Sequence, residues 1–289
     1  MDFNALLKQI DSVNTKKTYD KDSGEFWKPT KDKDGNAQAL IRFLPDADIE
    51  GVPFQRRYSH SFKDPITQRW YIENSLSTLG KSDYIAEENA KLWATGTDEN
   101  KEIVRARKRK LNFISNILVI KDSANKENEG KVFKFSYGKK IWDKIAAAAK
   151  PDAEMGEEPI NAFDPIKGAD FLLKQTVVAG WPNFDSSKFS SKKPLFEADQ
   201  DKINAVLAKC YDLTVEVSEA KFKTQDELKD KFLWVTGKKD TAKAEKNYDK
   251  ELDTLQKAAA EPAKSTMKTP DFSAKVEDED FDYASLLND

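Results

Sequence analysis

Beyond Gly237 the sequence turns to Lys, Ala, Asp and Glu, and little there can be buried. Tyr248, Leu252 and Leu255 suit a weak helix but no core, and Pro262 and Pro270 interrupt what remains. Folding is thereby confined to the residues before it. The expected division is an arm (1–18), a core (19–237) with an insertion near 60–104, a flexible linker (238–270) and a tail (271–289). The tail sets seven acids (Asp271, Glu277, Asp278, Glu279, Asp280, Asp282, Asp289) against Lys275, a charge of −6. The whole chain carries −3, so residues 1–270 carry +3. A basic body tied to an acidic tail points to a polyanionic partner and a built-in competitor for it. A solvated lysine-rich loop with an ordinary disordered terminus gives the same totals. The aromatic residues decide between them.

Hydrophobic residues make up 38% of the chain against 34% charged, low for a chain that is globular throughout. Yet it holds six Trp, eight Tyr and seventeen Phe. No apolar run approaches the roughly 18 residues of a membrane span, and no signal-peptide core is present, so a soluble, unprocessed protein with no membrane partner is expected. A single cysteine, Cys210, rules out an internal disulfide and fits a reducing cytoplasm. With His60 the only histidine, no zinc-finger spacing exists.

Residues 1–18 carry Phe3, Leu6, Leu7, Ile10 and Val13 at helical spacing. Such a stripe must dock on something, either the body or a neighbouring copy. Strand-like segments follow at Ala37 to Pro45 (after the turn Asp34-Gly35-Asn36), Arg69 to Ser75, Asn112 to Lys121, Lys131 to Tyr137 and Phe171 to Ala179. These five short strands, broken by longer polar excursions, suit a five-stranded oligonucleotide-binding barrel with insertions. An amphipathic helix is predicted over 198–211 from Ile203, Val206, Leu207 and Cys210. A second begins at the capping box Thr224–Glu227 and stops at Gly237. The predicted class is α+β, mainly β, with peripheral helices and a disordered acidic tail.

Alternation puts Phe133, Phe135 and Tyr137 on one face of a strand, followed at once by Lys139, Lys140 and Trp142. Rings beside cations suit single-stranded nucleic acid, whose bases stack and whose phosphates need neutralising. The competing reading is that this face is barrel core. Recurrence favours the first: Trp70 and Tyr71 follow Arg69, Phe113 follows a basic run, and Trp181 and Phe184 precede Lys188. That basic run, Arg105, Arg107, Lys108, Arg109 and Lys110, includes three arginines, which suggest phosphate geometry or stacking more than solubility. Trp93 joins the candidate set. Arg42 lies mid-strand among apolar neighbours, where a buried salt bridge competes with a phosphate contact.

Enzyme signatures are absent: no phosphate-binding glycine loop, nucleophile elbow or HExxH motif occurs. A catalytic triad would have His60 as its only base. The acids Asp278 to Asp282 lie in a low-complexity tail ill suited to fixed metal geometry.

Long blocks of this sequence resemble the helix-destabilising single-stranded DNA-binding proteins of T-even-type phages. They are Ala39-Leu40-Ile41-Arg42-Phe43-Leu44-Pro45, Trp70-Tyr71-Ile72-Glu73, Asn116 to Asp122, Glu127 to Lys134, Gly138 to Ile145, and the end Leu286-Leu287-Asn288-Asp289. The resemblance implies an oligonucleotide-binding fold with one DNA strand in its cleft, an arm for cooperative self-association, and a tail that contacts replication and recombination proteins. It places strand-contacting aromatics at Trp70, Phe113, Phe135, Trp142, Trp181 and Phe184, and the basic cluster at Lys108, Arg109 and Lys110. It also implies one zinc held by a histidine and three cysteines. His60 matches the histidine, but Ser75 replaces the first cysteine and Asp83 to Glu88 contains none, so no cofactor is expected. The family's basic-then-hydroxyl arm motif is missing as well, since the arm reads Asp2 to Lys8 and the matching internal stretch ends Leu111-Asn112. Self-association is then expected through Phe3, Leu6, Leu7 and Ile10, and partner binding through Asp278, Asp280, Phe281, Asp282, Leu286 and Leu287. The implied location is the cytoplasm of an infected bacterial host. An RNA-binding regulator is the alternative, because stacking and phosphate contacts do not read the 2′ position; a metal-dependent nuclease is a third reading.

Overall fold

In the computed structural model, which describes residues 25–152 and 156–238, the chain is α+β with strands dominant. The arm stripe, the weak helix near 248–255 and every tail residue named above lie outside the described residues. The strands are β1 (Phe26–Trp27), β2 (Ala37–Leu44), β3 (Gln55–Lys63), β4 (Trp70–Asn74), β5 (Lys110–Asp122), β6 (Val132–Gly138), β7 (Ala169–Val178), β8 (Trp181–Asn183) and β9 (Lys188–Lys192). The helices are α1 (Tyr84–Ala94), α2 (Asp98–Arg107), α3 (Lys139–Ala149), α4 (Gln200–Leu207) and α5 (Gln225–Val235).

Pairing runs β1-β6-β5-β2-β7-β8, with β3 joining β5 to β4 and β9 joining β7. Among the described residues this path is open, where the sequence predicts a five-stranded barrel. The reason lies in β7. It gives one edge to β2, and β8 and β9 return along its other edge, so it meets neither β6 nor β1.

Both faces of the central strands are covered. Ala39, Ile41 and Phe43 of β2 face a core with Ile117, Val119, Phe135, Tyr137, Phe171 and Leu173. On the opposite face Leu44, Leu118 and Val132 pack on Leu195 and on Ile203 and Val206 of α4. Two-sided burial explains why β2 and β5 read as nearly continuous apolar runs. Phe43 is fully buried, with the rings of Tyr137, Phe163, Phe171 and Phe189 all within 6.4 Å. Truncating such a ring to alanine costs about 3–5 kcal/mol.

A separate core unites the segment inserted between β4 and β5 with the end of the described chain. Phe62 and Tyr71 of the β3–β4 hairpin, Leu76, and Ile85 of α1 pack against Phe222 and against Leu228, Phe232, Trp234 and Val235 of α5. The insertion thus borrows α5 to complete its interior. That helix has the predicted capping box at Thr224 and Glu227. It ends at Gly237, whose φ of +69° favours glycine, with Lys238 N–H donating to Leu233 O at 2.8 Å. The helix predicted over 198–211 is shorter, because Phe196, Glu197 and Ala198 take positive φ and Asp199 caps the first turn.

Candidate nucleic-acid interface

The centre of the site is the β3–β5 ladder. Arg56 pairs with Phe113 and Tyr58 with Leu111, and paired residues project to the same side of a sheet. Helix α3 follows β6 directly and packs Ile141 and Ile145 into the main core. Its Trp142 lies flat against Phe113, with centroids 4.3 Å apart and planes 4° from parallel. Phe54 closes on Trp142 at 4.5 Å, inclined by 57°. These rings, with Val52, Arg56, Leu111, Lys139 and Asp143, line a groove of about 560 Å³. A second hollow of about 390 Å³, between Thr30, Gln38, Ser123 and Thr176, holds no aromatic side chain.

Cations border the aromatic groove. Arg56 is exposed and has neither an ion pair nor a side-chain hydrogen bond among the described residues. Two residue pairs further along the ladder, the Arg109 guanidinium lies 4.5 Å over the Tyr58 ring. Lys110 is exposed at the start of β5, and Lys108 is exposed at the end of α2. On the other rim Lys139 pairs with Asp143 at 3.0 Å. Lys140 reaches Asp185 at 3.2 Å, and Lys144 donates to Asp185 O, tying the segment after β8 to α3. The β7–β8 hairpin turns at Ala179 and Gly180, both at positive φ, and presents Trp181 opposite Val178. Trp181 is 63% exposed, the barest tryptophan described, whereas Phe184 is half-buried against the main core.

The other expected contacts divide sharply. Trp70 is half-buried on β4, and Trp93 is half-buried on α1 with Lys101 and Arg105 each 6.0 Å from its ring. Arg105 is exposed and pairs with Glu102. Arg107 is turned inward, its guanidinium over Phe62 at 5.5 Å and Phe232 at 5.1 Å, where it anchors the inserted segment.

Besides Arg107, four expectations are corrected. Arg42 is fully buried, ion-paired with Asp170 at 3.2 Å and donating to the carbonyls of Asp164, Pro165 and Lys193. Burial lowers its pKa against the opposing pull of Asp170, and the group faces no solvent where a phosphate could sit. Tyr71 is core, stacked on Phe62 at 5.1 Å. Phe135 and Tyr137 are core as well, because β6 turns that face toward Phe43 and Trp27. The Tyr137 hydroxyl bonds Ser115 at 2.9 Å, and burial pushes its pKa up. Phe113 is itself buried, but it forms the groove floor.

The resemblance implies a zinc at His60, and the surroundings of this residue do not suit that ion. Asp83 Oδ2 accepts from Ser75 Oγ at 2.8 Å and Leu76 N at 3.0 Å. Its Oδ1 accepts from Ile85 N and Ala86 N, capping α1, and faces His60 Nε2 at 3.2 Å. Burial opposes ionisation of Asp83, yet the adjacent His60 ring and the bonds from Ser75 and Ala86 prevail and lower its pKa. The carboxylate's acceptor sites are thus taken up, and no thiolate is near. No group of three or more His, Cys, Asp or Glu arranged for a metal occurs among the described residues.

Phe54, Arg56, Tyr58 and Leu111 escape the sequence reading, although Phe54, Arg56 and Tyr58 alternate ring and cation at strand period.

Comparison with known proteins agrees with this chemistry. Residues 35–236 match the family described as gp32 DNA binding protein like. The single-stranded DNA-binding protein of Enterobacteria phage T4 is 37% identical over 308 aligned positions, spanning 98% of this chain and 97% of the relative. That of Enterobacteria phage T2 is 39% identical over 292, spanning 93% and 91%. The single-stranded DNA-binding protein of Escherichia phage SV14 is 48% identical over 62 residues, 22% of this chain and 52% of its own. With a match that runs from β2 through the groove strands to α5, this chain belongs to the gp32 DNA binding protein like family.

Proposed function

We propose that this chain binds single-stranded DNA with little regard for sequence, laying the strand along the β3–β5 ladder. The observation that carries this reading is the groove of Phe54, Leu111, Phe113 and Trp142, bordered by the unpaired Arg56 and the Arg109–Tyr58 pair. Apolar floor takes up bases and sugars, the bordering guanidinium groups neutralise phosphates, and few side chains there read a base edge. The relatives, named as single-stranded DNA-binding proteins, favour DNA over RNA and a binding role over catalysis. The finer fold reading, an oligonucleotide-binding arrangement with an insertion, goes with this function.

Strand contacts are assigned to Arg56, Tyr58, Arg109, Lys110, Lys139, Trp181 and the groove residues Phe54, Leu111 and Phe113, with Trp142 holding the groove in shape. Trp70, Trp93, Arg105, Lys108, Lys140 and Phe184 are assigned to the border of that surface. The arm stripe is assigned to self-association along the strand, and the tail to replication and recombination proteins in the cytoplasm of an infected bacterium. The protein works without metal. No helix among the described residues is long and apolar enough to cross a membrane.

Anisotropy titration of labelled DNA and RNA oligomers of matched sequence, at several salt concentrations, tests this reading. Log affinity should fall against log salt by about 0.7 per phosphate contact, with DNA bound more tightly than RNA. A salt-independent affinity, or a preference for duplex, would overturn it.

A further inference from the structure

Helix α2 ends at Arg107, and only Lys108 and Arg109 separate it from β5. The last carbonyls of a helix lack intrahelical partners, and their partners decide how the chain leaves. Here the Arg107 carbonyl is met by His60 Nδ1 at 2.9 Å, with the Asn89 amide more distant at 3.5 Å. The opposite ring nitrogen faces Asp83, and His60, Asp83 and Asn89 are all at least 97% buried. The Asp83 carboxylate is itself fixed by Ser75 and by the first turn of α1. This buried chain therefore runs from α1 through His60 to the backbone that leads into Arg109.

We infer that His60 is a positioning residue for the DNA contact: oriented by Asp83, it holds the Arg107 carbonyl and thereby sets Arg109 over Tyr58 beside the groove. The Arg107 side chain supports the same point from the other side, lodged over Phe62 and Phe232. Arg107 anchors the segment, and Arg109 meets the strand.

This inference rests on the reading of Arg109 as a strand contact, and one mutant cycle in the full chain separates the two. An asparagine amide can reach where Nδ1 stands, whereas a glutamine amide reaches toward Nε2. His60→Asn should therefore keep the bond to the Arg107 carbonyl, and His60→Gln should lose it. With a labelled single-stranded oligomer at low salt, His60→Gln is expected to weaken binding about tenfold, the scale of one lost hydrogen bond. His60→Asn is expected to stay within about twofold. In an Arg109→Ala background, His60→Gln should add nothing further, because its effect passes through Arg109. Equal losses for the two His60 variants, or a His60→Gln loss that persists beside Arg109→Ala, would overturn the inference. If Arg109→Ala alone left affinity unchanged, the strand-contact reading would fail and take the inference with it. Should His60→Gln not fold, Asp83→Asn serves in the same cycle, since asparagine still caps α1 but withdraws the charge facing His60.

Discussion

Trp142 and Trp181 are both expected strand contacts, and the geometry assigns them different work. A base inserted between two rings needs about 7 Å between their planes, two van der Waals thicknesses. Trp142 has Phe113 stacked on it at 4.3 Å and Phe54 inclined beside it at 4.5 Å, so no base can enter either gap. Trp181 offers an open ring, 63% exposed at the edge of a hairpin. A base–aromatic stack contributes about 1–3 kcal/mol. Trp181→Ala should then weaken binding by about 5-fold to 150-fold while changing stability by less than about 0.5 kcal/mol. Trp142→Ala should act in reverse, costing about 3 kcal/mol or more of stability by unpacking α3 from the groove. Tryptophan emission during titration with a single-stranded homopolymer separates the two roles. Of the other four, Trp27 and Trp234 are buried and Trp70 and Trp93 half-buried, so most of the quenching should vanish in Trp181→Ala. Full quenching and unchanged affinity in that variant would refute the assignment, as would loss of quenching in Trp142→Phe with affinity intact.

Arg42→Ala removes the buried guanidinium from Asp170, which keeps Lys193 at 2.6 Å, and leaves the Lys193 carbonyl without its donor, and should cost about 3 kcal/mol in denaturant melts. DNA affinity, measured where the variant is folded, should not change. Arg56→Ala, in an exposed residue without a partner, should leave the melt unchanged and lower the salt slope by about 0.7. On the proposed metal-free reading, chelators should leave the melting temperature unmoved; stoichiometric zinc in purified protein would show otherwise. Asp83 has a folded pKa below its ordinary 3.8, so its stabilisation is complete above that value and is lost as pH falls through the lower folded one. Acid unfolding followed by circular dichroism should therefore be steeper below pH 3.8 than in Asp83→Asn, and identical profiles would contradict the account.

Sequence pattern is legible where burial imposes a period. Strands β2, β5, β6 and β7 fall within two residues of their predicted bounds because each buries apolar residues in the main core at strand period. Strand β3 is different. Its Gln-Arg-Arg-Tyr-Ser-His-Ser-Phe-Lys is mostly half-buried, so no apolar run announces it, yet it carries half of the groove. Helix α3 is obscured in a similar way, since its stripe is only Ile141 and Ile145 before a run of alanines. The same physics explains the candidate residues. An aromatic strand beside lysines looks alike whether its rings face bases or other rings, and for Phe135 and Tyr137 the partners that bury them, Phe43 and Trp27, are far away in sequence. At Arg42 the sequence leaves a phosphate contact and a buried salt bridge open, and Asp170, distant along the chain, decides for the second. What identifies a contact in this fold is therefore not residue type but an unused face: Arg56 without a partner, Trp181 without a cover. Exposure of that kind is created by tertiary pairing, and local sequence has no term for it.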